Sequence, residues 1–387
     1  MIDRRLAFVV ATGAIGVIPA ARVNASITAG GVVDVHGGYG SNPFFSQNSP
    51  GASPLVGATV TVKVVRQTGV SRTELSGTAD LSQYVKHYSL AEDYVARLSH
   101  NQQITEKLAV MGSLAYENSV NPLPSYSTRS SDLAPLNDLL TVGQRQYRYS
   151  AGLNVTYEPN TRNLYQFGVN GTHSGFTGGV GSSYNQYGGT LGYLRTISER
   201  TRIGIQGGYS AVQSKRYPSS QSFNIGLQLM QKVGSYWEFN GGASFLLQRQ
   251  GGLSFKNIGF NGSLCGKYPR FTVCVLGSRQ SAASGLGGQR TDTQGGARAN
   301  YKLTEHSTIE ISSTYDLSQA TGSSVPAQKY FDAAASYRRE LTPRLSVGAS
   351  GRYQNRDYGS LFGVGNEKAN AYTGTLNVIW KFGRASI

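Results

Sequence analysis

The hairpin Tyr187–Tyr209 sets the terms for any fold this chain can adopt. On its first arm Tyr187, Gly189, Leu191 and Tyr193 share one face, against Gly188, Thr190 and Gly192 on the other. On its second arm Ile203, Ile205, Gly207 and Tyr209 oppose Gly204, Gln206 and Gly208. A period of two means a strand with one apolar side. The short polar joint Ser198-Glu199-Arg200-Thr201 makes the pair antiparallel. A soluble β-protein turns the apolar side to a core, whereas a membrane barrel turns it to lipid and keeps the polar side inward.

Recurrence of the unit decides between them. Similar alternation runs from Ser26 to Phe382, and it predicts roughly 18 strands, an even number in the bacterial outer-membrane range. Tight turns are expected near residues 69, 103, 160, 199, 234, 269, 305 and 342, with longer connections between them. Ile104-Thr105-Glu106-Lys107-Leu108, Ile197-Ser198-Glu199-Arg200-Thr201 and Leu303-Thr304-Glu305-His306-Ser307 share one turn flavour. With 49 glycines, 24 tyrosines and only 15% charged residues, the composition suits strands that need small or polar inward positions and tyrosine at the membrane boundary. The expected fold is therefore all-β: a transmembrane antiparallel up-and-down β-barrel. A soluble propeller or β-helix would need per-blade or per-coil motifs that the chain lacks.

The N-terminus fits export. Met1-Ile2-Asp3-Arg4-Arg5 is basic, the stretch 6–20 is apolar but short, and Val23-Asn24-Ala25 offers small or modest residues for cleavage. Residues 1–25 are read as a signal peptide and 26–387 as one barrel domain, the competing reading being a short anchor helix. The implied location is the outer membrane of a Gram-negative bacterium. Leu376, Val378, Trp380 and Phe382 look like a C-terminal signal for the barrel-assembly machinery, although residues 383–387 follow the last aromatic.

The tip Gly38-Tyr39-Gly40-Ser41-Asn42-Pro43-Phe44, the run Thr73-Glu74-Leu75-Ser76-Gly77-Thr78-Ala79-Asp80 and the turn Ile104–Leu108 resemble the β-barrel porin type 2 family. Gly40-Ser41 stands where an acidic pair is commoner in that family. The resemblance implies an outer-membrane barrel, often associated with exopolysaccharide or capsule export, and it brings no catalytic residue.

No enzyme chemistry is legible. The five histidines have no metal-ligand spacing, and the glycine-rich runs lack the strand-to-helix context of a phosphate cradle. No cofactor is expected, and no motif supports a nucleic-acid partner despite a net charge of +15. The basic balance points instead to anions or acidic headgroups, with outer-membrane lipid as the surrounding partner. Alternation places Lys63, Arg97, Lys107, Arg148, Arg298, Arg338 and Arg352 in the lumen, together with Glu74, Asp80, Asp93, Glu238, Glu310 and Asp332. These charges either pair across strands and merely solvate the wall, or form a mixed, net-basic pore for an anionic solute or polysaccharide. The two function classes are thus a channel, passing an acidic exopolysaccharide or small anions, and a closed structural barrel in an envelope or polysaccharide-export assembly.

Two further features carry expectations. Cys265 and Cys274 flank the Tyr268-Pro269 turn on the inward parity and would face each other if Pro269 and Arg270 are central, bridged or reduced. The connection Glu117–Gly143 is the longest, and loops beyond about 12–15 residues tend to be functional or disordered. It is read either as a constriction loop, with Arg129, Asp132 and Asp138 lining the narrowing, or as an external loop.

Overall fold

The computed structural model describes residues 25–43, 45, 49–88, 90–119, 145–177, 181–284, 288–320, 327–357 and 368–383. Among the described residues eighteen strands follow one another, from β1 (Ser26–Ser41) to β18 (Lys368–Gly383), with β2 (Ala52–Gln67), β7 (Asn163–Thr177), β8 (Tyr184–Ser198), β10 (Ser220–Val233) and β13 (Phe271–Ser284) between them. Each pairs antiparallel with its sequence neighbours, and β1 pairs β18, from Gly30 opposite Gly383 to Ser41 opposite Tyr372, so the barrel is closed. Closure removes the exposed edges on which strands aggregate. At about 4.8 Å between strands and a tilt near 40°, eighteen strands enclose a backbone cylinder of roughly 18 Å radius. That is too wide for wall side chains alone to fill.

The period-two pattern works as anticipated. Leu376 is 71% exposed and Leu227 63%, and both lie on the outside with Ile205, Ile225 and Ile258. Leu227 stands between Ile205 of β9 (Thr201–Ser214) and Ala243 of β11 (Trp237–Gln250), a continuous apolar band. Aromatics border the band at two heights. Tyr157, Tyr165 and Tyr193 form a row near the tight turns, with ring centroids 6.2 and 5.1 Å apart. Tyr116 and Tyr149, at 5.0 Å, and Tyr209 and Phe223, at 4.8 Å, belong to the other belt. Along β6 (Arg145–Asn160) eight residues separate Tyr149 from Tyr157, roughly 27 Å of strand, which after tilting approaches the height of an outer-membrane apolar band.

Several boundaries differ from expectation. The turn expected near residue 103 lies instead at Glu106-Lys107, because β4 runs Ala91–Thr105 and β5 starts at Leu108. The strand continues past the membrane boundary into water, where both faces are polar and resemble a turn. β5 likewise reaches Ser119, so Glu117 is a strand residue opposite Arg148. At the other end the connections are not uniformly long: β11 and β12 (Leu253–Lys267) are joined by Gly251 and Gly252 alone, with φ of 58° and 84°. Two successive positive-φ residues make the tight hairpin turn whose twist matches its strands, and glycine takes that conformation without strain.

Candidate functional site

Because the outward parity is fixed, the opposite residues build the lumen wall, and that wall has two unlike halves. Charges crowd β14 (Gly288–Thr304), β15 (Ser307–Ala320), β16 (Gln328–Glu340) and β17 (Leu345–Asp357), and continue past the closure into β1–β6. On β7–β13 the inward charges Arg202, Lys232, Glu238 and Lys267 all sit close to the tight turns, and the inward positions beyond them are uncharged.

Most of the charges on the polar half are tied. Lys63 meets Glu74 at 2.9 Å, and Arg72 meets the same carboxylate at 3.1 Å. Arg298 pairs with Glu310 at 2.6 Å and Arg352 with Asp332 at 2.5 Å. Asp80 accepts from the Thr59 hydroxyl at 2.9 Å, and Asp34 accepts two bonds from the Asn377 amide. Glu238 pairs with Lys267 at 3.1 Å near a tight turn, away from mid-barrel. Among the described residues, Arg97 and Arg338 are exposed and carry no ion pair. Lys107 is not on the wall: it occupies the Glu106-Lys107 turn, at the rim. Asp93 lies inward on β4, opposite Asp80 of β3 (Ser71–Tyr84).

Towards the longer connections the polar half becomes dense. Arg290 and Asp292 pair at 3.0 Å and are only 2% and 1% exposed. Gln294 donates to Asp316 at 2.6 Å, Gln354 to the Tyr330 hydroxyl at 2.8 Å, and Arg356 to Gln328 at 3.1 Å. The Arg290–Asp292 pair neutralises itself, which is what lets two charges be buried here.

The β1–β2 connection adds to this packing. Phe45 is 2% exposed, and its ring meets that of Tyr330 on β16 at 6.3 Å, edge-on. Asn42 and Phe45 have φ of 49° and 52°, a region costly for a phenylalanine. Three anchors hold the segment there. The Phe45 amide donates to the Asn42 carbonyl at 3.0 Å. The Asn42 side chain donates to the Asn370 carbonyl of β18 at 3.2 Å. The Tyr88 hydroxyl, in the β3–β4 connection, accepts from the Asn42 amide at 2.9 Å and donates to the Gly51 carbonyl at 2.6 Å. In the sequence this stretch carries no signal of such a contact beyond the Asn42-Pro43 pair, which marks a break in the strand. The constriction residues proposed from sequence, Arg129, Asp132 and Asp138, lie outside the described residues.

Cys265 and Cys274 are direct partners across the β12–β13 hairpin, with Cα atoms 4.1 Å apart, and are joined as a disulfide. They sit inward between Glu238 on β11 and Arg298 on β14.

No family model and no curated protein matches the sequence. Among solved structures, OccK2 (OpdF) of Pseudomonas aeruginosa in complex with glucuronate aligns with a TM-score of 0.49 and 10% identity over 93% of this chain and 99% of that one. A BenF-like porin from Pseudomonas fluorescens Pf-5 aligns at 0.49 and 11%, over 93% and 99%. The outer membrane protein OpdK from Pseudomonas aeruginosa aligns at 0.48 and 11%, again over 93% and 99%.

Proposed function

We propose that this chain is an outer-membrane channel for small anions. The observation that carries the reading is a closed eighteen-strand barrel, apolar outside, whose wide lumen presents Arg97 and Arg338 as exposed, unpaired cations. Fixed cations on the wall of an aqueous lumen raise the local anion concentration and lower the barrier to anion entry. In this reading residues 1–25 direct export and are removed, and the outward row Leu376, Val378, Trp380 and Phe382 presents β18 to the barrel-assembly machinery before closure. The dense packing near the longer connections, with Phe45 against Tyr330, favours small anions over an acidic exopolysaccharide. A second reading, a closed barrel serving an envelope or polysaccharide-export assembly, is favoured by the same packing together with the buried Arg290–Asp292 pair.

Flux separates the two readings. Purified barrel in proteoliposomes should release a small organic anion faster than a cation of equal size. Retention of both solutes by folded protein would favour the closed barrel.

A further inference from the structure

From β6 round to β10 the inward wall has a construction of its own. Asn154 of β6 lies opposite Gly168 of β7, and Asn170 of β7 opposite Gly188 of β8; further round, Asn224 of β10 lies opposite Gly208 of β9. In each pair the carboxamide rests where the glycine's missing side chain would be. A Cβ at Gly168 would stand 2.7 Å from Asn154 Oδ1 and 2.7 Å from Thr190 Oγ1. At Gly188 it would stand 2.7 Å from Asn170 Oδ1, and at Gly208 2.5 Å from Asn224 Oδ1. Glycine beds thus let amides lie low along the wall. Asn154, Asn170, Thr190 and Asn224 are all exposed on the inward face.

A recess of about 280 Å3 opens in this wall, close to the lower bound of small-molecule sites. Apart from Ala151, Val169 and two glycines, its lining is hydroxyls and amides: Ser113, Ser150, Asn154, Asn170, Thr172 and Thr190. Its chemistry excludes two ligand classes. The lining itself offers a carboxylate or phosphate no counter-charge, and Arg148, two residues from Ser150 on the same face, stands opposite the Glu117 carboxylate. An apolar ligand would leave several donors and acceptors unpaired. Hydroxyls and carboxamides both donate and accept, and the group that answers them in kind is a polyol.

We propose that the β5–β8 wall is a binding site for a neutral sugar unit, seated by the amides of Asn154 and Asn170 and the hydroxyls around them. Its part in transport rests on the channel reading, since a solute must enter the lumen to use it; binding itself does not.

The test is saturation-transfer NMR on the detergent-solubilised full barrel titrated with cellobiose, folding of each variant being checked by circular dichroism. The wild-type protein should give saturable transfer. Asn154→Ala with Asn170→Ala should raise Kd by about tenfold, the equivalent of about 1.4 kcal/mol. Gly168→Ala keeps every amide but pushes Asn154 off its bed, and should weaken binding as well. Ser312→Ala, on the charged wall, should leave Kd unchanged. Absence of saturable transfer, or an unchanged Kd in both amide-wall variants, would overturn the site. Conductance of the same preparations in planar bilayers reports on the channel reading separately: sugar binding without conductance would refute that reading and leave the site standing.

Discussion

The ring of Phe45 stands edge-on to that of Tyr330, centroids 6.3 Å apart, although one follows the first strand and the other lies on the sixteenth. Barrel closure makes this contact possible: β1 pairs with β18, and β18 with β17 and so to β16. The chain immediately after its first strand is thereby carried onto the charged half of the lumen and latched by Asn42 to Tyr88 and Asn370. On the channel reading, this latch sets part of the conductance. Phe45→Ala should raise single-channel conductance, and Tyr88→Phe, which removes the hydroxyl holding Asn42 and Gly51, should make the conductance fluctuate between levels. Wild-type conductance in both variants would place the contact away from the ion path.

The outer band is tested at Leu227, between Ile205 and Ala243. Leu227→Arg should destabilise the barrel by about 2–4 kcal/mol if the residue lies near the bilayer midplane. Gln228→Arg, one residue on and facing the lumen, should cost far less. Denaturant unfolding in lipid vesicles measures both. Equal losses would mean that the two faces do not differ as described.

Much of this was legible in the sequence, and the gaps have physical causes. The hairpin was read with its joint at Ser198–Thr201, and β8 indeed ends at Ser198 while β9 begins at Thr201. Parity placed Leu227 outside and Gln228 inside because lipid and water impose opposite chemistry on adjacent residues. Where both faces meet water that contrast vanishes, and so the β4–β5 turn was set too early and Lys107 was assigned to the wall. The Phe45 latch was hidden for another reason. It depends on a contact with Tyr330, and period-two reading reports the face of a residue but not its partner across the mouth. The inward Asn and Gly of these strands are plain in the sequence, yet only the register sets Asn154 over Gly168 and Asn170 over Gly188.

The disulfide makes a chemical prediction. Cys265 and Cys274 close a short loop across an existing tight turn. Alkylation of the unfolded protein without reductant should label neither cysteine, and prior reduction should expose both. In the chain-entropy account, replacing both by serine should cost roughly 2–3 kcal/mol. Labelling without reductant would remove the bridge.

The paired charges predict a selectivity change of opposite sign on their two partners. Asp332 neutralises Arg352 at 2.5 Å. Asp332→Asn should raise the anion-to-cation permeability ratio, and Arg352→Gln should lower it, because each changes the net charge of the same point on the wall. Shifts in the same direction for both variants would show that the pair acts through shape alone.

The most direct measurement is the reversal potential of single channels of the purified barrel under a potassium chloride gradient. The account predicts discrete conductance and a reversal potential displaced towards that of chloride. It further predicts that Arg97→Gln with Arg338→Gln, which removes two exposed cations that carry no ion pair, moves the potential back towards zero. Folded protein without conductance, or a wild-type reversal potential on the potassium side, would contradict it.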